Sequence, residues 1–426
     1  MTDPRRAVPR TDAVLADPRL AASAQQLGRA RVKREVTAVL QQVRDGDLAP
    51  AAVVPVVQQR LATVTPSGLR PVLNATGVVL HTNLGRAPLA DAAVEALAAA
   101  AGYVDVEFDL ADGHRAGRGR HLLAALRRAV PTAEDAFAVN NGAAALLLST
   151  TALAAGREIV VSRGELIEIG DGFRLPELIE SGGARLREVG TTNRVTFGDY
   201  RAAIGADTAA VLKVHPSNFR IQGFTHAVPV AELAKLPVPV IADLGSGLLA
   251  PHPLLPDEPD VATALRAGAA VVTCSADKLL GGPQGGLLFG RADLLGALRR
   301  HPLARAVRID KLTIAALTVA LETPTPTWDA LTADPESLRS RCVALADAVG
   351  GKVIRSDGVV GGGGAPGVRL PGWAVALPTE LAGPLRAGTP AILGRIEDGR
   401  CLLDLRCVPA AADAALTAAV RAAIAG

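Results

Sequence analysis

Two hydrophobic periods divide the chain. In its first part apolar side chains recur at helical spacing: AASAQQLGRARVKREVTAVLQQVRDG predicts one helix, and LAPAAVVPVVQQRLATV a second, proline-interrupted one. Nothing there alternates as a strand would, so residues 1–65 are expected to form a small helical domain, with TPSGLRP marking a linker over 66–84. From about residue 72 the pattern changes to short, continuous apolar runs, each closed by Gly, Asn or Asp and followed by a helical pattern: AFAVNNGAAALLLSTTALA, REIVVSRGELIEIG, AAVLKVHPSN, VPVIADLGSG and AAVVTCSADK. Runs that do not alternate imply a sheet covered on both faces, hence an α/β core with a mainly parallel sheet, over 85–320. TVALETPTPTWDALTAD then leads into a smaller C-terminal α/β domain, 321–426, which carries the glycine run 361–364.

Composition narrows the class. Hydrophobic residues make up 49% and charged residues 20% of 426 residues, which suits a core-rich soluble protein and excludes a disordered one. Apolar runs are broken well short of the roughly 18 residues of a membrane span, and MTDPRRAVPR has no apolar segment behind its charges, so a cytoplasmic location is the default expectation. The four cysteines (Cys274, Cys342, Cys401, Cys407) show no C-x-x-C pair and no metal-ligand spacing with histidine, and read as thiols of the core; Cys401 and Cys407 share one strand-like stretch, and no metal is expected. Net charge is +3, unevenly spread: residues 1–60 carry ten Arg/Lys against six acids, a balance of +4 that leaves −1 for the other 366. The excess suits a phosphate backbone and equally a solvated helix face.

In such folds ligands gather at the carboxyl ends of the strands, here NNG, SRG, HPSN, DLGSG and SADK. Lys278, in SADKLLGGPQGG, is one of six lysines in an arginine-rich chain. A buried lysine can lose its proton and form a Schiff base, which arginine cannot; the competing reading is a surface lysine paired with Asp277. Asp243 follows the strand PVPVIA. An acid there could keep the nitrogen of a pyridoxal phosphate ring protonated, or simply cap a helix. Asn140, Asn141 and Gly142 form a small-residue turn from which Ala143 and Ala144 open a helix, whose free amides and dipole suit a phosphate. Phosphate turn, acid and lysine, each after its own strand, follow the order found in aminotransferase-like pyridoxal phosphate enzymes. GGPQGG lacks the spacing of a dinucleotide loop and is expected to turn the chain back into the next strand, LLFG.

Longer motifs carry a resemblance. RPVLNATGVVLHTNLGRAPL, SRGELIEIGDGFRLPELI, VGTTNR, KVHPSNFRIQGFT, DLGSG and SADKLLGGPQGGLLFGR resemble the bacterial L-seryl-tRNA(Sec) selenium transferases, or selenocysteine synthases, from the N-terminal region to the C-terminal domain. The resemblance implies a fold type I (aminotransferase-like) pyridoxal 5′-phosphate enzyme that converts seryl-tRNA(Sec) to selenocysteinyl-tRNA(Sec) with selenophosphate, through an aminoacrylyl intermediate. Lys278 would hold the cofactor and remove the Cα proton, and Asp243 would face the pyridinium. Asn140, Asn141, Gly142, Ala143, Ser217, Asn218 and Ser275 would line the cofactor, with His215 a further candidate lining residue. Arg86, Arg305 and Arg308 would bind the anionic donor, the last two sharing a helix face, and Asp277 would align substrate. The N-terminal domain would bind tRNA(Sec) by shape and phosphate, without DNA or membrane contact, and the chain would form a homo-oligomeric ring, a decamer by resemblance. Alanine is expected at position 285, where this chain has glycine. Two other functions compete: a related pyridoxal phosphate lyase or transferase of a small amino acid or amino sugar, without tRNA, and a non-catalytic tRNA-binding or scaffold protein. An N-terminal helical module counts against the former, and a lysine together with an acid counts against the latter.

Overall fold

The computed structural model describes residues 8–62, 64, 67–170 and 172–425. The chain divides into two compact units: Met1–Leu73 with Pro378–Leu393 and Ala414–Gly426, and Asn74–Leu377 with Gly394–Asp413.

In the first unit the helices Ala21–Leu27, Arg29–Asp45 and Val53–Ala62 follow the helical period. The first predicted helix is broken in two at Gly28, whose φ of +83° lies outside the helical region and in the range that glycine alone adopts freely. Pro55 does not interrupt the second: it falls in the first helical turn, where its missing N–H would have had no partner. Val32, Val36, Val39, Leu40 and Val43 line one face of Arg29–Asp45 and pack with Val53, Val57 and Leu61, leaving Arg29, Lys33, Arg34 and Arg44 exposed. Residues 1–7, 63, 65 and 66, which belong to the predicted helical domain and linker, lie outside the described residues.

The second unit is built on a seven-stranded sheet, numbered here β1 (Asp135–Val139), β2 (Glu158–Ser162), β3 (Arg185–Val189), β4 (Thr208–Val214), β5 (Val240–Gly245), β6 (Val271–Ser275) and β7 (Gly286–Gly290), in the spatial order β1-β7-β6-β5-β4-β2-β3. All neighbours are parallel except β7, which runs antiparallel to both β6 and β1. The expected parallel sheet is thus present with one reversed strand. The connection from Ser275 to Gly286 carries no helix, so it can only return the chain beside β6. GGPQGG therefore does lead back into LLFG.

Burial on both faces explains the continuous apolar runs. Ile159 and Val161 enter one core cluster while Val160 between them enters another; Ile241 and Ala242 likewise part to opposite faces. The outer strand β3 keeps Arg185, Arg187 and Glu188 exposed, the charged dress of an edge. Elsewhere in this unit Val78–Leu80 pairs parallel with Gly358–Gly361, and Lys352–Arg355 pairs antiparallel with the strand from Trp373. Cys401 lies in the strand Arg400–Asp404, whereas Cys407 lies beyond it in a 3-10 turn; none of the four cysteines forms a disulfide among the described residues. Among the described residues no helix is long and apolar enough to cross a membrane.

Candidate active site at the strand ends

Adjacent parallel strands bring the acid and the lysine together. In the β5–β6 register Asp243 stands opposite Thr273, and the chain leaving β6 two residues later turns through Ser275 into Lys278. Thr273 Oγ1 donates to Asp243 Oδ1 at 2.7 Å. Burial pushes the Asp243 carboxyl above its ordinary range, against the Thr273 hydrogen bond and the charges of Lys278 and His215. Lys278 is buried, 7% exposed, and desolvation lowers the pKa of its ammonium; Arg86 lowers it further, while Asp243 and Asp277 work in the opposite sense. The surface-lysine reading is excluded. An amine so placed is biased toward the free base that a Schiff-base lysine requires.

The turn after β1 lies against the same strand end. A Cβ built on Gly142 would sit 2.4 Å from Ser275 Oγ, so glycine lets the serine hydroxyl approach the turn closely. Asn141 caps the helix Gly142–Ala154, its Oδ1 accepting from Ala144 N–H at 2.8 Å, and the Ala145 N–H donates to Asn141 O. Gly142 and Ala143 then present N–H groups without an intrahelical partner. The Asn140 amide is not part of this cradle: it donates to Val307 O at 3.0 Å.

The other predicted residues divide. Ser217 is buried, and its Oγ lies 3.1 Å from the point where a Gly245 Cβ would stand, a point 3.7 Å from Lys278 Nζ. Asn218, by contrast, is exposed, and its Nδ2 donates to Glu168 O at 3.3 Å. His215 is tied in by its backbone N–H to Asp243 O, 2.9 Å, and its Nε2 lies 3.2 Å from Glu258 Oε2. Arg86 donates from Nη1 to Asp277 Oδ2 at 2.9 Å, half-buried beside the lysine. Arg305 and Arg308 do not share a helix face, because the helix Pro302–Ala306 ends between them. Arg305 is exposed; Arg308 pairs in backbone with Val139 next to the Asn140 turn, and its guanidinium faces Glu107 at 3.5 Å.

Several neighbours escaped the sequence reading. Thr273 was legible in principle, as a polar residue in a strand that otherwise points apolar groups at the core. Lys213, in VLKVHP, is another such case: its Nζ donates to the buried Glu165, which also accepts from Val214 N–H at 2.8 Å. Burial raises the Glu165 carboxyl, against the charge of Lys213. Glu258 had no local signal, and the glycine run that holds Gly363 gave no sign of which residue it packs on, since neither sits at a strand end of the sheet.

A buried amine, a recessed acid, helix-start amides without an intrahelical partner and a glycine cradle would suit pyridoxal phosphate: Lys278 could hold its aldehyde, Asp243 its ring nitrogen, and Gly142, Ala143 and Ser275 its phosphate. Residues 72–409 match the family L-seryl-tRNA selenium transferase, and residues 5–44 the family selenocysteine synthase N terminal. The L-seryl-tRNA(Sec) selenium transferase of Moorella thermoacetica is 46% identical over 82% of this chain and 81% of its own. That of Carboxydothermus hydrogenoformans is 41% identical over 95% and 94%. Among solved structures, a D-glucosaminate-6-phosphate ammonia-lyase shares the fold, with a TM-score of 0.59 and 22% identity over 84% of this chain and 96% of that one. The expected type I fold of pyridoxal phosphate enzymes is borne out. With matches of this identity over most of its length, the chain belongs to the L-seryl-tRNA selenium transferase family.

Proposed function

We propose that this chain converts L-seryl-tRNA(Sec) to L-selenocysteinyl-tRNA(Sec), with selenophosphate as selenium donor and pyridoxal 5′-phosphate as cofactor. The observation that carries the chemistry is the meeting of buried Lys278 with recessed Asp243 at neighbouring strand ends. Bound there, pyridoxal phosphate supplies an electron sink that acidifies the seryl Cα and so lets the β-hydroxyl leave.

The chain's own groups do the rest. Lys278 holds the cofactor through Nζ and, when its amine is free, accepts the Cα proton at the same atom. Its bias toward the neutral form serves both tasks. Asp243 would hold a proton at the ring nitrogen, its carboxyl fixed by the hydrogen bond that Thr273 Oγ1 donates. Arg86 offers forked donors to an oxyanion, while Asp277 fixes its position. Arg305 and Arg308 are further anion-binding candidates. The helical segment 1–65 supplies tRNA contact through its +4 balance. The enzyme works in the cytoplasm as a homo-oligomer, a decameric ring.

Incubation of the protein with seryl-tRNA(Sec) and selenophosphate, scored for selenium on the tRNA, tests this function. Lys278→Ala is expected to abolish both transfer and the borohydride-reducible cofactor adduct. Release of ammonia from a small amino acid or amino sugar without tRNA, and no selenium transfer, would overturn the proposal in favour of a lyase.

A further inference from the structure

The glycine run after Gly358–Gly361 has a role in the site that the reaction above does not assign. The run leaves its strand beside Val78–Leu80, where Gly361 pairs with Leu80 and the Gly362 N–H donates to Leu80 O at 3.2 Å. It then crosses Lys278: a Cβ on Gly363 would lie 2.7 Å from both Cδ and Cε of the lysine and 3.1 Å from Nζ. A Cβ on Gly364 would lie 3.0 Å from Leu279 Cδ1 and 3.3 Å from Ser246 Cβ. The strap ends at Ala365, a non-glycine residue with φ +45°, a region that L residues enter only where the surroundings hold them.

What holds Ala365 is Glu258. The Ala365 N–H donates to Glu258 Oε2 at 2.7 Å, and the same oxygen faces His215 Nε2 at 3.2 Å. The Glu258 side chain is 1% exposed, and its Oε1 has no hydrogen-bond partner among the described residues. A buried carboxylate kept only for packing would have both oxygens satisfied, since each unsatisfied one is costly. This one is committed through a single oxygen to two segments that meet the lysine's surroundings: the strap, and His215, whose own N–H is bonded to Asp243 O.

We infer that Glu258 is a positioning residue for Lys278: it anchors the strap 361–365, which packs on the alkyl stem of the lysine and limits where Nζ can reach. The strap needs glycine at 363 because any side chain there would occupy the space of the lysine stem. Glutamate is used as the anchor because one acceptor oxygen can serve an amide and an imidazole at once. The inference rests on the cofactor reading of Lys278.

The test compares wild type, Glu258→Gln and Glu258→Ala, each stripped of cofactor and then mixed with pyridoxal 5′-phosphate. Two readouts are followed: the rate at which the borohydride-reducible adduct forms on Lys278, and amide hydrogen exchange across 361–365 in the cofactor-free protein. Glu258→Ala is expected to slow adduct formation about ten-fold, as loss of positioning does, and to speed exchange in the strap. Glu258→Gln keeps an acceptor for Ala365 N–H and is expected to restore both. A folded Glu258→Ala protein with wild-type adduct rate and wild-type exchange overturns the inference, as does a Glu258→Gln protein as impaired as the alanine variant. Should Glu258→Ala fail to fold, Gly363→Ala tests the same contact from the other side. It is expected to slow adduct formation with the Glu258 anchor intact, and an unchanged rate overturns the inference. A wild-type protein that traps no adduct overturns the cofactor reading itself, a failure distinct from that of the anchor.

Discussion

At position 142 a Cβ would meet Ser275 Oγ at 2.4 Å, and with that oxygen removed its nearest neighbour would be Ser275 Cβ at 3.6 Å. Gly142→Ala is therefore expected to destabilise the protein by about 1–3 kcal/mol, the usual cost of overpacking. Ser275→Ala in the same chain should recover most of that loss, and thermal unfolding of the single and double variants measures it. Gly142 was legible as part of a small-residue turn, but its partner lies 133 residues away, and only the β6–β7 return places Ser275 beside it. Lys278 and Asp243 were legible for a related reason: each ends an apolar run with a group that such a run has no structural use for. Glu258 and Gly363 carry no such mark, because their importance comes from what the chain folds against them.

At the scale of elements, β1 is an edge strand pinned by its first residue. Asp135 is buried; Arg127 Nη2 donates to its Oδ1 at 2.6 Å, Arg299 donates to its Oδ2, and the Ala136 N–H donates to Oδ1. Burial alone would raise this carboxyl, but the hydrogen bonds from Arg299, Arg127 and Ala136 outweigh it and bring it down from 3.8 to about 2. A carboxyl depressed in the fold contributes stability above its unfolded pKa and loses it as pH falls through the folded one. The Asp135 contribution, about 2 kcal/mol, is thus expected at neutral pH and to vanish between about pH 4 and pH 2. Denaturant unfolding of wild type and Asp135→Asn across that range should show two stability curves that converge in acid. The β6–β7 connection offers a prediction of opposite sign. Gly285 has no positive φ, and a Cβ there would meet Ala276 Cβ at 3.4 Å and Leu317 Cδ2 at 3.7 Å, close to ordinary contact. Gly285→Ala should accordingly stabilise by about 0.4–1 kcal/mol by restricting the unfolded chain, read as a shift in the denaturant midpoint. The two helical periods of the N-terminal segment and the continuous runs of the sheet were legible because burial on one face or two writes itself directly into residue order. The break at Gly28 was missed because one glycine inside a helical pattern is compatible with either a continuous or a broken helix.

At the scale of the whole molecule, the N-terminal helical segment presents Arg29, Lys33, Arg34 and Arg44 opposite its apolar face. If these cations meet the phosphates of a tRNA, binding should weaken steeply with salt, and deletion of residues 1–65 should remove most of that dependence; a filter-binding titration of seryl-tRNA(Sec) at several ionic strengths measures both. A truncated protein with the full affinity and the full salt slope would assign the tRNA contact elsewhere. Residue order alone sets the alternation of strands and helices, the succession of small-residue turn, acid and lysine, and the membership of a family, since each is written in local pattern or in motif. Tertiary structure alone decided which strand ends adjoin, that Asp243 faces Thr273, that Arg86 meets Asp277 while Arg308 turns to Glu107, and that a glycine strap lies on Lys278. The reason is physical: period and turn chemistry act between near neighbours in the chain, whereas desolvation, ion pairing and the space left for a side chain depend on segments that only folding brings together.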